Sequence, residues 1–340
     1  MKHELMIPFF GWMLLLGCSK PVSSPAPPTS SPIAMHRVDV STATELKAAL
    51  ETALPGDEIV LADGHYEGRF VIQPNADGIA ARKITLRGSR NAILDGGSTS
   101  TGYVLHLQAD YWILKGFTIT NGLKGLMLDG ASYNQVDSIR VHGIGEEGIH
   151  LRTFSSHNLL TRIDVTNTGL HTADYGEGIY IGSAKSNWAT YTNGQPDLCD
   201  ANEVRQCHVG PGISAECIDI KEGTTGGFIR NNLFDATGIT GANSADSWID
   251  VKGNNYLIEG NTGTNPAGSL LVDGYQVHVA VGGWGNNNEF RSNTCAVNAA
   301  GYGFLIKLTS SSGTATGNKV YSDNLVTGAA SGVANIPLTN

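Results

Sequence analysis

Alternating apolar and polar residues fill most of the chain in short runs, and one amphipathic segment precedes them. In residues 42–54 the apolar positions recur at helical spacing. Thr42 and Glu45 have the spacing of a capping box, and Pro55 would end a helix. The runs that follow, among them DEIVLADG, KITLRG and AILDGG, alternate with a period of two and end in glycine turns. The pattern therefore predicts one N-terminal helix followed by short strands.

From residue 125 onward the alternating runs form an irregular repeat. Equivalent runs begin at residues 125, 148, 178, 217, 248, 276 and 303, and they are GLMLDG, GIHLRT, GIYIGS, CIDIKE, WIDVKG, QVHVAV and GFLIKL. In most units a second apolar run begins with Asn, which tolerates the left-handed backbone of a sharp corner. No helical pattern separates these strands, so we expect each unit to form one coil of a solenoid. The predicted fold is all-β, a right-handed parallel β-helix whose N-terminal end is capped by the helix.

The residue between the two apolar positions of each run must point out of the solenoid. We expect a first outward column of Met127, His150, Tyr180, Asp219, Asp250, His278 and Leu305. The second column, two residues further on, consists of Asp129, Arg152, Gly182, Lys221, Lys252, Ala280 and Lys307. The third column, at the incoming turn, consists of Glu147, Glu177, Glu216 and Ser247. Because stacked coils place equivalent residues about 4.8 Å apart, these columns form one patch of carboxylates and cations.

Two explanations of this patch remain open. Outward residues on a solenoid are solvated, and a charged ladder resists edge-to-edge aggregation. Stacked carboxylates, however, repel one another unless a positive charge offsets them, and this favours a functional site. The charge could come from direct pairing with Lys221 and Lys252. It could also come from a cation bound by Glu177, Glu216 and Asp219, whose oxygen ligands favour Ca²⁺ over Zn²⁺.

The N-terminus has the pattern of an export segment. The apolar run from Met6 to Gly17 is too short for a membrane-spanning helix, and it ends in LLGC, which resembles a bacterial lipobox. The resemblance implies cleavage before Cys18 and a lipid on Cys18. An ordinary secretory signal is the alternative. We expect a signal peptide at 1–17, a Pro/Ser-rich tether at 18–36 and a single β-helix domain at 37–340. The product would be an exported lipoprotein, anchored to the membrane through Cys18 at the cell envelope (the outer membrane in a Gram-negative cell).

The composition bears on partners and cross-links. The chain has 31 acidic and 22 basic residues and a formal net charge of −9, whereas a nucleic-acid-binding protein is expected to show a basic face. We expect no nucleic-acid partner, and we expect a monomer. Four cysteines lie in the predicted domain, namely Cys199, Cys207, Cys217 and Cys295. Export permits a Cys199–Cys207 disulfide, and four buried free thiols are the alternative.

The chain resembles the pectate-lyase-like right-handed β-helix superfamily over nearly all of residues 38–325. Its opening, ATELKAALETALPGDEIVLADGHYEG followed by KITLRGSRNAILDGGS, is similar to the start of the chondroitinase B and alginate lyase family. That family uses a Ca²⁺ bound by Asn and Glu side chains, a lysine base and an arginine. Its Glu-x-x-x-x-Lys spacing occurs at Glu216 and Lys221, which implies a Ca²⁺ ligand and a base, respectively. The family's second glutamate is Ser214 here, and Lys252 stands at the turn of its arginine.

The segment AECIDIKEG also resembles the DDCIAIKSG segment of polygalacturonases, in which two aspartates and a Gly-His-Gly motif perform hydrolysis. Ala215 and Glu216 take the place of the aspartate pair here, and no Gly-His-Gly follows. We therefore rank a glycoside hydrolase, with its acid and base among the patch carboxylates, below a lyase. A non-catalytic carbohydrate-binding surface protein is the third alternative, because the fold alone supports all three.

The resemblance implies β-elimination on an acidic polysaccharide that contains uronic acid. The ion would neutralise the substrate carboxylate, and Lys221 would remove the proton, with its pKa lowered by Ca²⁺ or by Lys252. Lys252 or Arg152 would hold the carboxylate or the developing enolate. Tyr180 or His150 would protonate the leaving oxygen.

Four further residues are candidates for substrate binding. Asp250 and His278 belong to the first outward column. Trp188 and Tyr191 lie in an insertion, residues 184–201, and insertions in solenoids often form loops on the binding face. These two aromatic side chains could stack on a sugar ring, or they could simply pack the loop onto the coils, and both interpretations stay open.

Overall fold

The structure, a computed structural model, describes residue 1, residues 36–266 and residues 269–340. Its first helix, α1, spans Ala43–Thr52 and confirms the predicted capping box. The Glu45 N–H donates to the Thr42 hydroxyl at 3.2 Å, and the Thr42 N–H donates to the Glu45 carboxylate at 3.1 Å. Leu46 and Leu50 are fully buried, so α1 covers the first coil and packs on the strand Phe70–Ile72. This covering shields apolar side chains that an open solenoid end would expose.

Most of the other described residues, from 37 onward, form a right-handed parallel β-helix of three sheets. Sheet 1 consists, in order, of Arg37–Val40, Glu58–Leu61, Ile84–Arg87, Trp112–Lys115, Gln135–Asp137, Leu159–Thr161, Glu203–Arg205, Phe228–Arg230, Leu257–Glu259, Glu289–Arg291 and Lys319–Val320. Sheet 2 consists of Phe70–Ile72, Tyr103–Leu107, Lys124–Asp129, Ile149–Arg152, Ile179–Ile181, Ile218–Ile220, Ile249–Val251, Tyr275–Val277, Tyr302–Ile306 and Gly332–Ala334. Sheet 3 consists of Gly64–Glu67, Ala92–Asp95, Thr118–Thr120, Arg140–His142, Asp164–Thr166, His208–Val209, Leu233–Asp235, Thr262–Thr264, Thr294–Ala299 and Leu325–Ala329.

A few short elements lie outside the three sheets. The two-stranded antiparallel ribbon is formed by Thr309–Ser310 and Gly313–Thr314. A short helix, α2, spans Trp188–Tyr191 in the insertion. Three 3₁₀ turns are Ala173–Tyr175, Lys185–Asn187 and Ala242–Ser244. These elements matter for function because several of their residues line a groove over sheet 2.

Asn255, which opens one of the second runs, has the predicted left-handed backbone at φ 57°, but Asn158 and Asn202 have a different role. Asn158 and Asn202 stack inside the solenoid, where the Asn202 side-chain oxygen accepts hydrogen bonds from the Asn158 backbone and side chain at 2.9 and 3.1 Å. The left-handed conformation belongs to the preceding residues, His157 and Ala201, at φ 58° and 54°. The Asn side chains therefore satisfy buried backbone groups at the corner, which would otherwise cost free energy.

The predicted Cys199–Cys207 disulfide is wrong. All four cysteines of the described domain are free and buried. Cys199 precedes the strand Glu203–Arg205 and Cys207 follows it, so the two thiols lie at opposite ends of that strand. In the described part of the chain, no helix is both long and apolar enough to cross a membrane. The expected signal peptide, Cys18 and the tether up to residue 35 lie outside the described residues, and those predictions stay predictions.

Candidate active site

Strand register in sheet 2 builds the first outward column. Met127 pairs with His150, which pairs with Tyr180, and the series continues through Asp219 and Asp250. These pairs confirm the predicted alignment over five coils. They also bring Tyr180, Asp219 and Asp250, from three successive runs, to one surface of the solenoid.

The next coil departs from the prediction by two residues. Gln276, and not His278, pairs with Asp250 in the first column. The reason is Tyr275, which is fully buried and stacks on Phe304 with ring centroids 4.9 Å apart. Because Tyr275 takes the interior position, the alternation begins two residues earlier than predicted. His278 then occupies the second-column place predicted for Ala280.

Direct ion pairing connects the first two columns. The Lys221 ammonium lies 2.5 Å from Asp219, and the Lys252 ammonium lies 2.8 Å from Asp219 and 2.7 Å from Asp250. Asp250 in turn accepts a hydrogen bond from His278 at 2.6 Å. Both carboxylates are buried. Pairing with lysines, one of the two predicted ways to offset stacked carboxylates, is therefore present at Asp219 and Asp250.

These pairs overturn the expected pKa of the lysine base. Burial lowers the pKa of Lys221, but the nearby carboxylates, Asp219 first, outweigh burial and raise it above its ordinary value. The pKa of Lys252 is raised in the same way, since Asp219 and Asp250 outweigh burial and the repulsion from Lys221. The predicted lowering of the Lys221 pKa by Lys252 is wrong, because Asp219 lies between the two lysines and stabilises both ammonium groups. A lowering by Ca²⁺ stays a prediction.

The three predicted metal ligands lie together. Glu177, Glu216 and Asp219 each offer an oxygen, and these oxygens lie within 4.8 Å of one another. Both glutamates are buried, and Glu177 Oε2 has no hydrogen-bond partner among the described residues. Burial and the charge of Asp219 raise the pKa of Glu216 to about 8, and burial with Glu147 and Asp219 raises that of Glu177 well above its ordinary value.

Two of the three residues in this cluster, the glutamates, are suited to bind a hard cation. Glu177 and Glu216 lack a cationic partner at ion-pair distance in the described residues, so each needs a proton or a bound cation. Oxygen donors are the ligands that Ca²⁺ prefers. Asp219 differs, since its two oxygens already lie against the Lys221 and Lys252 ammonium groups. The glutamates, and not Asp219, are therefore the residues that would hold an ion.

Tyr180 and His150 lie on the neighbouring rungs. The Lys221 ammonium is 4.8 Å from the Tyr180 ring centroid, and the Tyr180 and His150 rings are 4.4 Å apart. Burial and the charges of Asp219 and Glu177 raise the pKa of Tyr180 well above its ordinary value, so the phenol keeps its proton. His150 Nε2 lies 2.9 Å from the Gly182 carbonyl oxygen, which fixes the ring. The protonated Tyr180 phenol thus belongs to a ring that lies beside the Lys221 ammonium.

Arg152 is fixed by a residue that sequence reasoning placed in a column but did not select. Asp129 accepts two hydrogen bonds from Arg152, at 3.0 and 2.7 Å, and one from Thr153 at 2.5 Å. The guanidinium also lies 4.1 Å from the Tyr191 ring centroid and 5.7 Å from that of Tyr103. Arg152 is therefore held rigidly at one end of the site.

The two aromatic residues of the insertion have different environments. Trp188 is 7% exposed and its indole N–H donates to the Ser183 carbonyl at 2.9 Å, so it packs the loop and is not a substrate contact. Tyr191 lines the groove beside Arg152. Glu222 is buried and accepts a hydrogen bond from the Lys185 N–H at 2.7 Å. It anchors the insertion.

The site is a groove with two halves that meet at Glu177, Lys221 and Asn243. One half, about 400 Å³, extends over Asp250 and Lys252 to His278, Lys307 and Ser310. The other, about 510 Å³, extends over Tyr180 and His150 to Arg152, Tyr191, Lys124 and Glu146. Residues that sequence reasoning missed are Asp174, Asn243, Lys124 and Tyr103. Lys124 could have been found by extending the columns one coil back, whereas Asp174 and Asn243 come from turns outside the repeat.

Comparisons with known proteins agree with the parallel β-helix fold. A family described as Pel9A-like, right handed beta helix region, matches residues 36–187. The crystal structure of alginate lyase from Paenibacillus sp. str. FPU-7 is 42% identical, with a TM-score of 0.82 over 88% of this chain and 99% of that one. The structure of pectate lyase Pel9A, at 15% identity and a TM-score of 0.56 over 86% of this chain and 79% of that one, shows the shared fold.

A curated relative, pectate lyase L of Paenibacillus polymyxa (strain SC2), is 27% identical over 117 residues. That match spans 32% of this chain and only 26% of the relative. The alginate lyase match, in contrast, extends over essentially the whole of its chain. Because the alginate lyase is 42% identical and the match covers 99% of its chain, the chain belongs to the family of the Paenibacillus alginate lyase, among the right-handed parallel β-helix polysaccharide lyases.

Proposed function

We propose that this protein cleaves a uronic-acid-containing polysaccharide by β-elimination in the groove over sheet 2. The observation that carries the proposal is the Lys221 ammonium, 4.8 Å from the Tyr180 ring, at the point where the two halves of the groove meet. An amine and a phenol side by side supply the base and the acid that elimination needs. The 42% identity to a Paenibacillus alginate lyase supports alginate as the substrate.

In the proposed reaction, the proton leaves the sugar carbon next to the carboxylate and passes to the neutral Lys221 amine. The electron pair of that C5–H bond forms the C4=C5 double bond, and the C4–O4 bond breaks. The leaving O4 takes the Tyr180 proton, and the lysine proton then returns to the tyrosinate, so both groups are restored. Because the resting pKa of Lys221 is raised, activity should increase as pH rises.

The substrate carboxylate needs a positive partner before its neighbouring carbon can lose a proton. In this proposal Glu177 and Glu216 would hold Ca²⁺, which would neutralise the substrate carboxylate when bound. Lys252 and Arg152 lie on either side of the reacting rung and would hold carboxylates or the developing enolate. The buried Asp250 contacts Lys252 and therefore acts as a positioning residue.

Other predicted residues take supporting roles. His150 backs the Tyr180 ring at 4.4 Å and orients it. Tyr191 offers a ring beside Arg152 on which a sugar can stack. The proposal also includes a monomer anchored to the envelope by a lipid on Cys18, which rests on the LLGC sequence. Detergent-phase partitioning of the wild type, lost in Cys18→Ser, would support the anchor, and equal partitioning of both would contradict it.

The reaction is tested with Lys221→Ala and Tyr180→Phe on alginate, pectate, glucuronan and chondroitin. The unsaturated product absorbs ultraviolet light, and each variant should lose at least about a hundredfold in kcat. Lys115→Met, an exposed sheet 1 lysine outside the groove, is the control. Full activity in both site variants would refute this assignment. New reducing ends without absorbance would indicate the glycoside hydrolase alternative, and binding without any product would indicate a non-catalytic carbohydrate-binding protein.

A further inference from the structure

Lys307 differs from the other cations of the groove. Each of the other lysine and arginine side chains that line the groove lies within ion-pair distance of a carboxylate. They are Lys124, Arg152, Lys221 and Lys252. Lys307 is exposed, and in the described part of the chain it has no carboxylate at that distance. Its positive charge is therefore available to an anion that enters the groove.

His278 holds the Lys307 side chain at the groove. The Lys307 ammonium donates to His278 Nε2 at 3.2 Å, and His278 Nδ1 donates to Asp250 at 2.6 Å. Lys252 pairs with the same Asp250. This chain of contacts aims the Lys307 ammonium at the groove and leaves its other N–H groups free. An ammonium prepositioned in this way loses less side-chain entropy when it binds a ligand.

Lys307 lies where a polymer that follows the second column would reach it. Lys221, Lys252, His278 and Lys307 follow one another in the second column, so three coil spacings of about 4.8 Å separate Lys221 from Lys307. One pyranose unit is about as long as one coil spacing. A uronate chain that lies along the column therefore brings a carboxylate to Lys307 three sugars from the unit at Lys221. The ribbon that contains Ser310 lines this end of the groove.

We propose that Lys307, positioned by His278, forms a terminal carboxylate-binding subsite that favours uronate chains long enough to reach it from the reacting rung. This inference rests on the proposed function, since it presupposes a polyuronate in the groove. Lys307 does not contact the reacting atoms, so it acts on specificity and not on the chemical step. Its contribution is a differential one, made only to substrates that extend over three further coils.

The test compares a uronate trisaccharide with a hexasaccharide of the polymer that the wild type cleaves. The variants are Lys307→Met, Lys307→Glu and the charge-conserving Lys307→Arg, with Lys115→Met as the matched surface control. In Lys307→Met we expect KM for the hexasaccharide to rise about fivefold, as for a partly exposed ion pair, with kcat unchanged. Lys307→Glu should lose more, Lys307→Arg should keep most of the preference, and the trisaccharide should be cleaved equally by all.

The outcomes separate this inference from the proposed function. If Lys307→Met and Lys307→Glu keep the wild-type ratio of hexasaccharide to trisaccharide kcat/KM while the unsaturated product still forms, the subsite is refuted and the lyase stands. An equal loss on both oligosaccharides would also refute the subsite, because it would indicate a structural effect. If the wild type forms no unsaturated product from any uronan, the proposed function itself fails.

Discussion

Replacing Asp219 by Asn removes the carboxylate that lies between two lysines. Asp219 is 2% exposed, and its oxygens lie 2.5 Å from the Lys221 ammonium and 2.8 Å from the Lys252 ammonium. The Lys221 and Lys252 side chains are only 13% and 15% exposed, so the small stabilisation typical of surface ion pairs does not apply. Removing one partner of a buried pair costs about 3–5 kcal/mol. Because Asn keeps one acceptor oxygen, we expect a loss of about 3 kcal/mol.

The same substitution should move the pH dependence of activity. Among its neighbours, Asp219 contributes most to raising the pKa of Lys221 against the effect of burial. Without its charge, the Lys221 amine becomes neutral at a lower pH. The rise of kcat/KM should therefore move to lower pH, and each pH unit of that movement changes the rate at a fixed acidic pH about tenfold.

The assay has two parts, and its control separates them. Urea unfolding gives the change in the free energy of unfolding, and initial rates of unsaturated product across pH give the profile. Asp137→Asn, which removes a buried carboxylate of sheet 1 that pairs with Arg162, should lower stability without moving the pH profile of activity. An active Asp219→Asn enzyme with the wild-type pH profile would refute Lys221 as the base.

Two further predictions concern the glutamates and the insertion. The folded state holds a proton on Glu216 up to about pH 8, whereas the unfolded chain releases it near 4.5, so this group makes wild-type stability fall as pH rises through that interval. Glu216→Gln should lose this part of the pH dependence, and Ca²⁺ should raise the wild-type melting temperature at pH 8 but not that of the variant. Identical pH curves, or an equal calcium effect on both, would contradict the assignment. In the insertion, Tyr191→Ala should raise KM with little change in stability, whereas Trp188→Ala should cost about 3–5 kcal/mol of folding free energy because that ring is buried. A wild-type KM in Tyr191→Ala would contradict a role of Tyr191 in substrate binding, and unchanged stability in Trp188→Ala would contradict a packing role of Trp188.

Much of the fold could be predicted from the sequence because the local signals, helix capping and period-two alternation, all indicate the same structure. The capping box at Thr42 and the period-two runs are local features, and the register of five coils from Met127 to Asp250 follows once the apolar residues point inward. The register fails at His278 because a period of two cannot distinguish positions that differ by two residues. Only the packing of Tyr275 on Phe304 decides between them.

The chemistry of the site was less predictable because it depends on distances across coils. The sequence pattern brings Lys221 and Asp219 to one surface, but it does not show that Asp219 lies between two lysines and so raises the pKa of Lys221. Burial of Trp188 depends on a hydrogen bond within a loop that has no repeat to guide its placement. Lys307 was placed in its column, but its lack of a carboxylate partner emerges only when the neighbouring ion pairs are located.

In the proposed mechanism, elimination takes place at the rung of Lys221 and Tyr180. The most direct measurement is the mass of the oligosaccharides that the wild type and Lys221→Ala release from alginate. Elimination leaves a double bond, so each new product end is lighter by one water than the product of hydrolysis. We expect unsaturated oligosaccharides from the wild type and none from Lys221→Ala. Saturated products, or unsaturated products formed equally fast by the variant, would contradict it.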